Sequence, residues 1–342
     1  MNGLLLVNLG TPEAPTIPAV RRYLREFLSD PRVIDLPALG RWLLLNLIIL
    51  PFRPKQSAHA YQQIWTERGS PLLLHGRSLE SMVQERLGEG WKVVLAMRYG
   101  APSLAEGLAA LEAAEVERVV VLPLYPQYAS STTGSTLEAL YALAGAGQRV
   151  PSLCVVPPFH EDEGYLSTQA ALMRETLERE PVDHVLFTFH GLPERQVRAA
   201  DPTGQHCLAR EDCCEQPSPA HRTCYRHQCR RTAEALAGRL DLAEGAWSVA
   251  FQSRLGRTPW LGPYTDQVLA ELGAKGVERV ALVSGSFVAD CLETLEELGL
   301  RGRETFEAAG GKQLVLVPSL NDQPAWADTV AALARRAAPA TD

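Results

Sequence analysis

The strongest constraint on this chain is a repeated alternation of short, continuous apolar runs with amphipathic stretches. Runs rich in Val and Leu fall near 3–8, 92–97, 118–123 and 151–156, then near 184–189, 247–252, 279–284 and 313–317. They are apolar throughout, not at every second residue, which is the pattern of strands covered on both faces. Strands of that kind separated by helical patterns pair in parallel. Amphipathic stretches such as 20–28 and 104–111 lie between the runs, and Ser103 with Glu106 gives the second a capping-box start. The predicted class is α/β, with parallel sheets covered by helices.

A length of 342 residues exceeds the size at which one core usually stops growing, so two domains are expected. An internal echo supports two similar halves. Val116-Glu117-Arg118-Val119-Val120 recurs as Val277-Glu278-Arg279-Val280-Ala281. Each copy runs from helix to strand, through a loop rich in Ser, Gly or Asp, and into Thr136-Leu137-Glu138 or Thr294-Leu295-Glu296. The expected division is 1–158 plus 322–342, with a C-terminal helix packing back, and 159–321. In open parallel sheets ligands bind beyond the carboxyl ends of the strands, so those loops carry the candidate chemistry.

Net charge excludes one class of partner: at −7 the chain is a poor match for nucleic acid. Met1-Asn2-Gly3 running into Leu4-Leu5-Leu6-Val7 lacks a basic leader and a small-residue cleavage site, and reads as a buried first strand. No apolar run reaches the roughly 18 residues of a membrane span. A cytoplasmic protein is expected.

Four strand-end loops stand out. After the run at 185–189 comes His190-Gly191-Leu192-Pro193-Glu194-Arg195. Taken alone, such a His is more often a hydrogen-bonded structural residue than a catalyst. After 279–283 comes Ser284-Gly285-Ser286-Phe287-Val288-Ala289-Asp290-Cys291-Leu292-Glu293, then Glu296-Glu297. Asp290, Glu293 and Glu297 are spaced i, i+3, i+7 and share one face of an α-helix. A solvated acidic face is the plain alternative. The third loop, Tyr125-Pro126-Gln127-Tyr128-Ala129-Ser130-Ser131-Thr132-Thr133-Gly134-Ser135, is rich in turn residues. In the fourth, 251–263, Pro259, Gly262 and Pro263 fix Trp260, which either fills core or walls a pocket.

Cysteine use is uneven. Cys154 and Cys291 stand alone, whereas Cys207, Cys213, Cys214, Cys224 and Cys229 crowd together with His206, His221 and His227 nearby. In a reducing compartment such crowding favours a metal site over disulfides. Thiolates suit zinc or iron–sulfur clusters. No Cys-x2-Cys pair is present, so a ribbon-type zinc site has little support.

Taken in order, the four loops resemble those of ferrochelatases. The resemblance runs from Leu6-Val7-Asn8-Leu9-Gly10-Thr11-Pro12 to Pro318-Ser319-Leu320-Asn321. It is closest to the form of Gram-negative bacteria in Gln252-Ser253-Arg254 and Asp290-Cys291-Leu292-Glu293. It implies two Rossmann-like halves with the porphyrin in the cleft between them, and insertion of Fe²⁺ into protoporphyrin IX with release of two protons, a lyase reaction of haem biosynthesis. His190 then faces Glu293 as iron ligand or proton acceptor, and Asp290 and Glu297 extend the carboxylates into a relay. A neutral imidazole serves either role near neutral pH, and Fe²⁺ accepts mixed N and O ligands. Rival readings are a coproporphyrin III or other tetrapyrrole chelatase, and a haem- or iron-binding redox sensor or carrier.

The same resemblance places Arg53, Tyr61 and Ser70 near the porphyrin propionates, with Leu9, Tyr125, Gln127 and Trp260 also at the porphyrin. Leu9 stands where coproporphyrin-using relatives carry Tyr, which favours protoporphyrin. The segment 36–54, with Leu43-Leu44-Leu45-Asn46-Leu47-Ile48-Ile49-Leu50 between Arg41 and Arg53, is either a buried helix or an apolar lip. A lip would give peripheral contact at the inner membrane face. Residues 203–224 look inserted, with similarity resuming at Tyr225, and the whole cysteine-rich stretch covers about 203–229. By resemblance it implies a [2Fe-2S] cluster on Cys207, Cys224, Cys229 and Cys214, with Cys213 as the alternative to Cys214.

Overall fold

The computed structural model describes residues 1–254, 256 and 258–338. Positions 255 and 257, in the Trp260 loop, and 339–342, the end of the expected C-terminal segment, lie outside the described residues. The chain divides into two compact units: Met1–Tyr125, Ser130–Pro157 and Asn321–Asp342 form one, and Pro126–Ala129 with Pro158–Leu320 form the other.

The first unit is built on four strands, β1 (Asn2–Thr11), β2 (Trp91–Gly100), β3 (Arg118–Pro123) and β4 (Ser152–Val155). They pair in parallel in the order β2-β1-β3-β4. Leu4, Leu5, Leu6 and Val7 of the central β1 are wholly buried, as a strand covered on both faces must be. Each such side chain contributes roughly 1.5–3 kcal/mol on burial. Leu5, Val7, Ala96, Val119 and Val121 form one core with Leu104 and Leu111 of the helix Leu104–Ala113. That helix begins as expected: the Ser103 hydroxyl accepts the Glu106 N–H at 3.2 Å, and the Glu106 carboxylate accepts the Ser103 N–H at 2.6 Å. At Gly10, where β1 runs on past its apolar stretch with φ +122°, a Cβ would lie 1.8 Å from the Tyr99 carbonyl, so only glycine fits.

The second unit repeats the plan with β5 (His184–His190), β6 (Trp247–Gln252), β7 (Arg279–Ser284) and β8 (Gln313–Val317), parallel in the order β6-β5-β7-β8. Its core joins Leu186, Ala250, Val280, Leu282 and Leu314 to Leu269, Leu298 and Phe306 from the helices. The echo in sequence is thus an echo in topology: β3 and β7 each occupy the third place and each is followed by a π-helical segment, Ser130–Gly134 and Glu293–Gly302.

A third π-helical segment, Leu44–Ile49, joins helices Ala38–Leu43 and Leu50–Ile64. Leu45, Ile49 and Leu50 point inward, but Leu39, Trp42, Leu47, Ile48 and Phe52 are 71, 57, 60, 58 and 75% exposed. The buried-helix alternative for 36–54 is therefore overturned. The i→i+5 turns and adjacent apolar side chains divide this segment between an inner and an outer face. No described helix is long and apolar enough to cross a membrane.

Candidate active site

His190 ends β5, the strand flanked by β6 and β7. Its backbone N–H donates to Ser286 Oγ at 3.0 Å, and its ring Nδ1 lies 2.7 Å from the carbonyl oxygen of Gly191. A carbonyl can only accept, so Nδ1 carries the proton and Nε2 of the neutral ring is the remaining acceptor. The ring meets Phe287 edge-on at 6.2 Å. Gly191 is required here, because a Cβ would lie 2.8 Å from the Gln252 carbonyl and 3.3 Å from the Trp260 ring. The same turn draws in the fourth loop. Gly191 N–H donates to Gln252 O at 2.8 Å, Leu261 N–H to Leu192 O at 2.9 Å, and Pro193 bridges to Trp260.

The acidic loop opens a π-helix, not the α-helix that the i, i+3, i+7 spacing predicts. Glu293 begins it and Glu297 lies within its first turn, so these two remain neighbours. Asp290 lies before the helix and is buried. It accepts the Thr294 hydroxyl at 3.1 Å and the Ser319 N–H at 3.3 Å, anchoring the turn into the helix. The predicted α-helical face is therefore not formed: Glu293 and Glu297 share the π-helical turn, and Asp290 stands just before it. The physical reason is the i→i+5 turn, which breaks α-periodicity.

Glu297 is the electrostatic centre of the site. Burial pushes its carboxyl above the ordinary value and the Glu293 charge adds to that, while the Ser253 hydroxyl, His190 and Arg301 pull the other way. Ser253 donates to it at 2.5 Å. Glu293 bonds the buried Cys291 thiol, which burial and the Glu293 charge both push up. Its carbonyl accepts from Gln252 Nε2 at 3.3 Å. The neighbouring Glu296 pairs with Arg301 at 2.9 and 3.1 Å, so the run of acids carries one local cation. Sequence reasoning gave no role to Ser253, Ser286 or Arg301. Ser253 and Ser286 lie inside the motif loops, but nothing in their spacing announces a contact with a carboxylate or a histidine amide.

The residues expected at the porphyrin divide by unit. In the first, Leu9 is half-buried near the end of β1, and Ser70 shares a 2.8 Å hydroxyl contact with Thr11 of the same strand. Tyr61 is buried with its ring edge toward Trp65, Arg53 is exposed on the same helix, and Tyr125 is buried beside Thr136. In the second, Trp260 flanks the His190 turn and Gln127 is buried. The Gln127 amide donates to Thr232 Oγ1 at 3.1 Å and to Gly285 O at 3.0 Å. Its Nε2 is thus committed inside the protein, bracing the residue that precedes Ser286.

All five clustered cysteines are buried: Cys207, Cys213 and Cys214 lie in an irregular stretch that ends where Cys224 caps the helix Tyr225–Arg239, and Cys229 lies in that helix. Cys224 contacts both Cys207 and Cys214, and Cys214 lies near Cys229. Cys213 Sγ instead accepts the Leu208 N–H at 3.4 Å and Arg226 Nη1 at 3.7 Å. Three imidazoles hold the Cys213-Cys214 backbone. His206 and His221 donate from Nε2 to Cys213 O at 2.7 and 3.1 Å, and His227 from Nδ1 to Cys214 O at 3.0 Å. His221 and His227 stack at 3.6 Å. Desolvation opposes ionisation of Asp201, but N–H bonds from Cys207, His206 and Thr203 and the Thr203 hydroxyl hold it well below the usual carboxylate range. Among the described residues no group of three or more His, Cys, Asp or Glu is set to hold a single metal ion.

Comparison with known proteins gives one consistent result. A family model described as ferrochelatase matches residues 1–338. The chain is 49% identical over 337 residues to the ferrochelatase of Pseudomonas fluorescens, with 98% of each chain covered. It is 50% identical over 335 residues to that of Azotobacter vinelandii, again with 98% of each covered. The Coxiella burnetii ferrochelatase is 45% identical over 334 residues, which cover 98% of this chain and 93% of the relative. Among solved structures, SirB from Bacillus subtilis with Fe³⁺ matches with a TM-score of 0.55 and 11% identity, covering 98% of this chain and 95% of SirB. At that identity the likeness concerns the fold alone.

Proposed function

The chain belongs to the ferrochelatase family, and from that premise we propose that it inserts Fe²⁺ into protoporphyrin IX, releasing two protons, with His190, Glu293 and Glu297 at the reacting centre. The observation that carries this reading is the pairing of His190 with the acidic turn. The Gly191 carbonyl fixes the imidazole tautomer with Nε2 as acceptor, and Glu297 feels both His190 and Glu293. A neutral Nε2 is suited to take a pyrrole proton. A carboxyl raised by burial and a neighbouring charge is suited to receive and release one. Glu293 supplies the oxygen donor that Fe²⁺, as the metal substrate, accepts alongside imidazole nitrogen. Leu9, Arg53, Tyr61, Ser70, Tyr125, Gln127 and Trp260 are proposed as the porphyrin contacts, and the apolar Leu9 supports protoporphyrin over the more acidic coproporphyrin. Anaerobic Fe²⁺ insertion into the two porphyrins, followed by loss of the free-base spectrum, tests the reaction. A chain that turned over neither would be a carrier or sensor instead.

We propose further that the cysteine pocket holds a [2Fe-2S] cluster on Cys207, Cys214, Cys224 and Cys229. The pairwise contacts among these four support it, since each iron of such a cluster takes two thiolates. Such a cluster, when bound, supplies four thiolate bonds that tie the irregular stretch to the helix Tyr225–Arg239. Cys213 has its sulfur occupied by N–H donors and is the alternative to Cys214. The exposed apolar row from Leu39 to Phe52, flanked by Arg41 and Arg53, is proposed to rest on the cytoplasmic membrane face as a peripheral contact.

A further inference from the structure

Gln252 is bonded to both parts of the proposed reacting centre. It ends β6, in register with His190 at the end of β5. Its backbone carbonyl accepts the Gly191 N–H at 2.8 Å. Its side-chain amide reaches the other way, where Nε2 donates to the Glu293 carbonyl at 3.3 Å. A carbonyl can only accept, so that bond fixes which end of the amide faces Glu293 and leaves Oε1 facing Thr188. The Thr188 hydroxyl, two residues before His190 on β5, donates to Oε1 at 3.2 Å. With its proton committed there, Thr188 Oγ1 accepts from the Thr265 hydroxyl at 2.7 Å. The donors therefore run one way, from Thr265 through Thr188 and Gln252 to Glu293. Thr188, Thr265 and Gln252 are 0, 4 and 4% exposed, so an amide turned end for end would meet no water and would leave buried groups mismatched.

The backbone just beyond β6 serves the same turn. In a strand successive side chains point to opposite faces, but Ser253 has φ +66°, a left-handed conformation uncommon outside glycine. The bend brings two adjacent side chains to one π-helical turn: Gln252 to the Glu293 carbonyl, and Ser253 to the Glu297 carboxylate at 2.5 Å. Backbone strain of this kind persists where the surroundings over-determine it. The amide contact is not needed to build the fold. β5 and β6 are already paired from Val185 and Trp247 to His190 and Gln252. Asp290 already ties the start of the π-helix through the Thr294 hydroxyl and the Ser319 N–H. What the Gln252 amide adds is the placement of Glu293 relative to the His190 turn.

We infer that Gln252 is a positioning residue that sets Glu293 against the His190 turn, and that Thr188 acts through it by holding the amide in its donating orientation. The spacing between the imidazole and the carboxylate is then governed by a buried side chain that touches neither ring nor carboxylate. The inference rests on the reading of His190 and Glu293 as the reacting pair, but the bracket itself is measurable without turnover.

The test is the backbone carbonyl ¹³C resonance of Glu293, read through the following amide in protein labelled with ¹³C-carbonyl glutamate and ¹⁵N-threonine. Glu-Thr occurs at three places, Glu175-Thr176, Glu293-Thr294 and Glu304-Thr305, so loss in Glu293→Ala assigns the signal and the other two serve as references. Thr188→Val keeps the volume and removes the donor, and Thr188 bonds neither residue 293 nor residue 294. It should move the Glu293 signal, as should Gln252→Met, with the references in place. In the Gln252→Met background, Thr188→Val should add nothing. A Glu293 signal unmoved by Thr188→Val, or a Thr188→Val shift that persists in the Gln252→Met background, would overturn the bracket. In turnover, each variant should lower kcat about three- to tenfold, the range expected of one hydrogen bond, with porphyrin KM within about twofold. A raised porphyrin KM with kcat unchanged would contradict a role at the carboxylate. Thr188→Ser keeps the hydroxyl and should restore both signal and rate, which separates this role from a folding defect. If the wild type inserts no iron, the proposed reaction fails, while the carbonyl signal still decides the bracket.

Discussion

The Nδ1–H of His190 donates to the carbonyl oxygen of Gly191 at 2.7 Å, and that bond decides which nitrogen is left for the proposed proton transfer. It also binds the ring's orientation to a glycine that has no room for a side chain.

Gly191→Ala is accordingly expected to cost about 1–3 kcal/mol, the usual range for forcing extra volume into a packed site. The displaced turn carries His190 and the Trp260 loop with it, so activity should fall by more than stability. Thermal unfolding beside insertion kinetics checks this. A variant with wild-type stability and rate would show that the turn yields freely.

The carboxyl of Glu297 sets a pH dependence. Its folded value lies above the ordinary 4.5, so the folded chain holds this proton more tightly than the unfolded chain. Its contribution to stability is fully present below 4.5 and is lost as pH rises through the folded value. Glu297→Gln should therefore stabilise the protein at neutral pH but not below pH 4, while slowing insertion. Ser253→Ala removes a group that holds the carboxyl down, and should move the carboxylate limb of the pH–rate profile upward. Unfolding curves at several pH values and a pH–rate profile read these two effects.

The cysteine assignment makes its own forecast. Protein purified without oxygen should carry two irons and two sulfides with visible absorption, lost in Cys207→Ser, Cys224→Ser or Cys229→Ser and kept in Cys154→Ser. Cys214→Ser should lose it while Cys213→Ser keeps it. The reverse would exchange those two ligands.

Trp42 and Phe52 are largely exposed, so replacing both with Ser should leave the melting temperature within about 1–2 °C, since exposed positions shift stability by less than about 0.5 kcal/mol. The same change should release the protein from anionic vesicles in a flotation assay. Equal flotation of the variant and the wild type would remove the membrane contact.

Much of this was legible in the sequence, for physical reasons that also mark its limits. All eight strands lie where continuous apolar runs place them, because a strand buried on both faces has little choice of composition. The Ser103–Glu106 cap was readable because capping chemistry is local. The π-helical turns were not, because i→i+5 bonding has no residue signature, and that is why one α-helical face was expected to carry Asp290 with Glu293 and Glu297. The outward face of 36–54 was equally hidden. Leu45 and Leu47 are the same residue type, yet one is buried and the other exposed, a choice made by what packs against the segment. Ser253, Ser286 and Tyr225 act through partners far along the chain, which spacing alone does not reveal.

The most direct measurement is anaerobic Fe²⁺ insertion into protoporphyrin IX by the wild type and by His190→Ala, with porphyrin binding followed in parallel by fluorescence quenching. Removing the base and ligand should lower kcat by at least the roughly 10²–10⁴-fold typical of a lost general base, with porphyrin affinity within a few-fold of wild type. A His190→Ala variant that metallates protoporphyrin at the wild-type rate would contradict the assignment of the reacting centre to the end of β5.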